Sequence, residues 1–228
     1  MNPKAMVAEF IGAFTLLFVG VGAIAANQLG AGTGPLGVAL AHGLAIAVMV
    51  AAVGSVSGGH FNPAISLGMM VAKKIPIITM IGYWIVQVLG AVAGVWVLTQ
   101  CVDINGLKQV AMGLPAVGDV TTQLSAIIME LVLTFFLVLV VYGASVDKRS
   151  NKAAAGLFIG LTITMGALVA GEVSGAAMNP ARFLGSAFFA KGGMENLVVY
   201  LTGPLLGGLV AGVVIWVLDE KEPVEAVE

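Results

Sequence analysis

The sequence predicts an all-α membrane protein: six transmembrane helices plus two re-entrant half-helices, arranged as an inverted internal repeat. Three observations predict it. The chain is 59% hydrophobic and only 10% charged over 228 residues, with a mean hydropathy of +1.05. A soluble domain carries about 25% charged residues, so this chain's natural solvent is lipid. Six apolar runs each reach the roughly 20 residues that a bilayer core requires. Finally, one stretch occurs twice at an offset of 117, each copy ending in Asn-Pro-Ala. It reads GLAIAVMVAAVGSVSGGHFNPA over residues 43–64 and GLTITMGALVAGEVSGAAMNPA over residues 160–181.

The spans fall in order at residues 5–26, 35–55, 77–101, 122–146, 153–171 and 196–218. The first run holds Glu9 and shows no clear cleavage site, so it reads as a retained helix rather than a signal peptide. A Gly-Ala-Gly-Thr-Gly-Pro turn at 30–35 separates it from the second. The second run leads into Asn62-Pro63-Ala64. The apolar piece that follows, Pro63–Val71, is too short to cross and fits a half-helix. Asp103-Ile-Asn-Gly106 breaks the chain after the third run. The fourth opens with Glu130 in MELVLTFFLVLVV, as the first opens with Glu9 in AEFIGAFTLLFVG. The DKRSNK stretch at 147–152 reads as a solvated turn. The fifth run leads into Asn179-Pro180-Ala181 and a second half-helix over 180–189. An acidic tail, 219–228, is expected to be disordered.

Leu89-Gly90 and Leu206-Gly207 also match at the offset of 117. Two repeats are therefore read, about 1–105 and 122–228. Three spans in each force the second to enter from the opposite side, which is an inverted repeat. Lys4, Lys73, Lys74, Lys148, Arg149, Lys152 and Lys221 share one face and only Lys108 and Lys191 the other. The positive-inside rule then sets both termini in the cytoplasm.

Other classes are excluded by what the sequence lacks. A net charge of −2 gives no basic surface for nucleic acid. Cys101 is alone, so there is no disulfide framework and no thiolate metal cluster. No metal-ligand set, cofactor motif or Ser/His/acid set appears, and an enzyme is not expected. The glycine pairs Gly90/Gly94, Gly156/Gly160, Gly203/Gly207 and Gly208/Gly212 read as helix-packing positions. The three tryptophans, with Tyr83 or Tyr200, read as interfacial anchors.

The twin boxes read as helix starts, because Asn is a preferred N-cap and Pro is favoured at the first helical position. Two inverted half-helices would meet N-terminus to N-terminus. Their dipoles then sum to partial positive charge at one point. Asn62 and Asn179 could each offer an amide N–H there, holding a water by its oxygen and turning its protons away. A lipid-facing polar turn is forbidden, so the boxes line a cavity or lie within protein. Arg182 follows the second box where Ile65 follows the first. A charge within a membrane marks a functional site by default.

SGGHFNPA, SGAAMNPAR and the acidic first and fourth helices resemble the aquaporin, or major intrinsic protein, family over essentially the whole chain. The short loops and the LTQC stretch look most like prokaryotic, including archaeal, members. The resemblance implies one channel domain over 1–228, a homotetramer with a pore in each subunit, and placement in the plasma membrane. It also implies an outer constriction formed by His42, Ala167, Ala176 and Arg182. Water-selective members usually hold an aromatic in the first place and His in the second. Here His stands first, as in plant vacuolar-type members, and the second is small. The glycerol branch usually has Asp after the Arg, whereas this chain has Phe183.

The expected cargo is therefore water with small neutral solutes: ammonia, urea, hydrogen peroxide and, at the limit, glycerol. Protons and ions would be excluded. A glycerol-facilitator-like channel is the alternative, and an ion-coupled transporter using Glu9 and Glu130 the more distant one. The resemblance favours those two acids as supports for loop backbone. His42 is expected to be a neutral donor and acceptor rather than a pH switch. His60 is expected either to line the cytoplasmic vestibule or to pack the loop.

Overall fold

The computed structural model describes residues 2–219. Lys221 and most of the acidic tail lie outside the described residues. Among those described the chain is helical, with no strand. Helices α1 (Pro3–Ala26), α2 (Gly34–Ser57), α3 (Pro63–Val71) and α4 (Ile77–Cys101) form the first half. A short α5 (Ile104–Gln109) follows, then α6 (Gln123–Val141), α7 (Ala155–Ser174), α8 (Pro180–Ala187) and α9 (Leu197–Leu218). All but α3, α5 and α8 are long and apolar enough to cross a membrane.

Local chemistry explains the boundaries. Asn2 caps α1 by accepting from Lys4 N at 3.0 Å, with Pro3 in the first turn. Helices α2 and α7 end on left-handed glycines, Gly58 (φ 94°) and Gly175 (φ 73°), which meet no Cβ penalty in that region. Asn62 and Asn179 cap α3 and α8 from extended backbone, φ −156° and −155°. The expected turn at 103–106 is instead the start of α5, capped by Asp103 accepting from Asn105 N at 3.2 Å.

The two halves pack alike. Helix α1 lies against α4 as α6 lies against α9, α2 crosses α7, and each half-helix also packs on the other half's last span: α3 on α9, α8 on α4. Backbone meets backbone at these crossings. A Cβ on Gly43 would strike the Gly160 carbonyl, and one on Gly160 would strike that of Gly43. These two residues are equivalent in the repeats, so the contact is reciprocal, as a twofold relation requires. Gly90 faces the Phe10 carbonyl as Gly207 faces that of Leu131. All eight glycines of the pairs Gly90/Gly94, Gly156/Gly160, Gly203/Gly207 and Gly208/Gly212 abut a carbonyl of another helix, the close approach that small residues permit in lipid.

At the end of the bundle that holds Asp219, Lys74 Nζ pairs with Asp219 Oδ2 at 2.6 Å, and Tyr142 donates to Asp219 Oδ1. In the nearby turn Arg149 donates to Asp147 from Nε and a terminal nitrogen, at 3.0 and 2.7 Å. These bonds hold the Asp147 carboxyl down to about 2, from an ordinary value of 3.8. The folded state therefore gains from this carboxylate above about pH 4 and loses that gain as pH falls towards 2. Asp147→Asn is expected to flatten this part of the acid limb in a plot of melting temperature against pH. An unchanged limb would show that the turn contributes nothing.

Candidate pore

Each half carries its polar turn on one buried acid. Glu9 Oε1 accepts from Ser57 Oγ (2.6 Å) and His60 N (2.9 Å), and Oε2 accepts from Phe61 N (2.6 Å) and Gln87 Nε2 (2.7 Å). Glu130 repeats this with Ser174 Oγ (2.7 Å), Ala177 N (2.9 Å) and Met178 N (2.6 Å). The Gln87 bond has no counterpart, because Pro204 holds the equivalent place. Both acids are wholly buried and absent from the cavity wall. They satisfy loop N–H groups that lipid could not.

Tyrosines close the same loops. Tyr83 donates to Ser57 O at 2.7 Å and Tyr200 to Ser174 O at 2.9 Å. Trp84 Nε1 donates to Pro63 O at 2.9 Å. These three are loop braces, which corrects the expectation of interfacial anchors for them. Trp96 and Trp216 do stay on the surface. The brace was legible as the repeated pairs Ser57/Ser174 and Tyr83/Tyr200, but periodicity alone does not separate a buried phenol from an interfacial one.

The loops then hold each other. Phe61 and Met178 adopt left-handed backbone, φ 50° and 49°. This costs non-glycine residues about 1–3 kcal/mol and persists where surroundings over-determine it. It aims their carbonyls across the interface. Asn62 Nδ2 donates to Met178 O at 2.7 Å, and Asn179 Nδ2 donates to Phe61 O at 3.0 Å. Each Asn Oδ1 caps its own half-helix, through Ala64 N at 2.9 Å and Ala181 N at 2.9 Å. A primary amide has two N–H donors. One is used by the opposite loop, and one of each Asn is left for the cavity that both residues line. Pro63, Ala64, Pro180 and Ala181 are buried behind them.

That cavity is about 360 Å³. All four residues expected at the constriction line it: His42 from α2, Ala167 from α7, Ala176 from the second loop and Arg182 from α8. His42 Nδ1 lies 2.9 Å from Val38 O, so that nitrogen carries the proton and donates. Nε2 is then an acceptor, 3.4 Å from a terminal nitrogen of Arg182. The other terminal nitrogen of Arg182 is buried with no protein partner, a donor available to a solute. His60 lines the cavity too, with Nδ1 3.0 Å from Ser66 Oγ and its ring edge-on to Tyr83. No sequence pattern indicates that the stretch after α5 reaches the cavity, yet Gly113, Leu114 and Pro115 join its wall. Gly118 N bonds Val173 O at 3.0 Å and ties that stretch to the end of α7.

Six spans around two half-helices, whose capped starts meet at one cavity lined by both asparagines, define a polytopic membrane protein of the channel class. Residues 1–215 match the model of the major intrinsic protein family. The chain is 39% identical to Probable aquaporin TIP2-2 of Oryza sativa subsp. japonica, over 99% of this chain and 92% of the relative. It is 35% identical to aquaporin AqpM of Methanothermobacter marburgensis, over 91% and 94%. The X-ray structure of the aquaglyceroporin from Plasmodium falciparum superposes with a TM-score of 0.83 at 25% identity, covering 93% of this chain and 95% of that one. The chain belongs to the major intrinsic protein family, whose members are channels rather than enzymes.

Proposed function

We propose that the protein is a passive channel for water and small neutral solutes, namely ammonia, urea, hydrogen peroxide and, at the limit, glycerol. The observation that carries this reading is the wall of the cavity. Two alanines share the wall with an imidazole acceptor and a guanidinium donor, which leaves width and keeps polarity. Cations would meet Arg182 and the two half-helix N-termini, with no acid among the constriction residues. Glu9 and Glu130 are occupied by loop donors, which argues against an ion-coupled transporter. Phe183 stacks on Tyr200 at 4.7 Å and is wholly buried. The position after the arginine thus packs into the protein rather than meeting solute, which favours the water-and-small-solute reading over a dedicated glycerol channel.

The reading includes two inverted repeats, about 1–105 and 122–228, forming one channel unit. It further includes a homotetramer in the plasma membrane with both termini cytoplasmic. Apolar side chains such as Leu44, Ile85, Leu124 and Val213 are exposed on the spans, as lipid or neighbouring subunits would require. Stopped-flow light scattering of proteoliposomes tests the cargo. Fast osmotic shrinkage is expected, followed by reswelling in urea and slower reswelling in glycerol. Water flux with no solute flux would overturn the wide constriction. No water flux would overturn the channel.

A further inference from the structure

Leu16, Gly20 and Ile24 follow one another at i, i+4 and i+8 on α1, so they share one face of the helix. Leu16 and Ile24 line the cavity and Gly20 does not. The His42 ring occupies the space between them. A Cβ built on Gly20 would lie 2.5 Å from His42 Nε2 and 2.7 Å from Cδ2. That is the edge of the ring facing Arg182. The ring cannot slide freely aside, because Nδ1 is held by Val38 O.

We propose that Gly20 is a positioning residue for the constriction: the missing side chain is what lets the His42 acceptor stand beside Arg182. This rests on reading the cavity as a solute path. The repeat supplies an independent comparison. The offset relating Glu9 to Glu130, applied to α1, pairs Gly20 with Val141. The offset relating Ser57 to Ser174, applied to α2, pairs His42 with Ile159. Val141 and Ile159 are both fully packed apolar residues. In the second half neither position lines the cavity, although Leu137 and Ile163 one turn away do, and both carry branched aliphatics. In the first half the position that lines the cavity carries an imidazole and the other carries nothing. The two positions differ together, as a coupled pair should.

The test is a double-mutant cycle in proteoliposomes with the parent, Gly20→Ala, His42→Ala and the double variant. The readouts are the ratio of urea to water permeability and the melting temperature in detergent. Gly20→Ala is expected to change the ratio by at least about twofold, the lower end of coupling between touching residues. In the His42→Ala background it is expected to change nothing, since the methyl then has room. A structural role for Gly20 in helix packing would lower stability equally in both backgrounds, and that result overturns the proposal. So does an unchanged ratio for Gly20→Ala. If Gly20→Ala alone fails to fold, a folded and permeable double variant supports the pairing, and an unfolded one sinks it. If the parent passes no water, the channel reading falls separately. The pairing is then decided by whether Gly20→Ala lowers the melting temperature only when His42 is present.

Discussion

Glu130→Leu is expected to leave little folded protein in the membrane. The carboxylate accepts from Ser174 Oγ and from the backbone N–H groups of Ala177 and Met178, all buried. A donor buried without a partner costs about 1–3 kcal/mol, and more when the lost partner was charged. Three such donors together rival the whole stability of an ordinary domain, about 5–15 kcal/mol. Leucine fills the space and satisfies none of them. The damage also passes to the other half, because Met178 O is the acceptor for Asn62. Glu130→Gln keeps one acceptor oxygen but turns an NH2 towards a backbone N–H. It is expected to fold with a clearly lower melting temperature and a distorted second loop. Fluorescence-detected size exclusion with a thermal ramp separates the three proteins. A Glu130→Leu protein melting within about 2 °C of the parent, a difference typical of surface changes, would show that the loop holds itself and that the acid is not its support. Glu9→Leu is expected to behave alike, with Gln87 as a fourth stranded donor.

The elements of this fold were legible because lipid leaves few options. Each run long enough to cross became a helix, with ends shifted by a few residues where a cap set them: Asn2 and Pro3 draw α1 back to Pro3, and Ser57 and Gly58 carry α2 past residue 55. The boxes at Asn62 and Asn179 were readable for the same reason, since capped polar turns at those depths must line a cavity or lie within protein. The matched loop partners were partly readable as exact repeats. Three things were not. The stretch after α5 lies outside both repeats and has no copy to compare with. Its place at the cavity wall rests on long-range contacts, the backbone bond from Gly118 to Val173 and Met112 buried in the core. The roles of Tyr83 and Tyr200 depend on which way a phenol points at a span end, and both directions satisfy the same hydrophobic pattern. The space behind His42 depends on a crossing between α1 and α2 that no local pattern encodes. A glycine in an apolar helix reads as packing until the atom it makes room for is known.

Arg182→Val is expected to raise urea and glycerol flux relative to water and to open a measurable cation leak. Arg182 is 8% exposed, with one terminal nitrogen near His42 and one buried without a protein partner. Its charge acts on anything in the cavity at close range. At about 4 Å and an effective dielectric near 20, two like unit charges repel by about 4 kcal/mol. At 1.36 kcal/mol per decade this lowers cation occupancy roughly a thousandfold. Valine removes that term, removes a donor and widens the wall. The half-helix N-termini remain, because Arg182 N is capped by Asn179 Oδ1 through the backbone, at 3.2 Å, whatever the side chain is. The leak should therefore be partial, and a second loss at Asn62 or Asn179 should enlarge it. Arg182→Lys separates charge from shape. It keeps a unit charge but loses the planar fork, so cation exclusion should survive while the urea-to-water ratio shifts. Proteoliposomes loaded with a pH-sensitive dye report the proton leak, and stopped-flow scattering reports the solutes. If valine leaves both unchanged, exclusion belongs to the asparagine centre alone and the constriction at Arg182 is not where solutes are chosen.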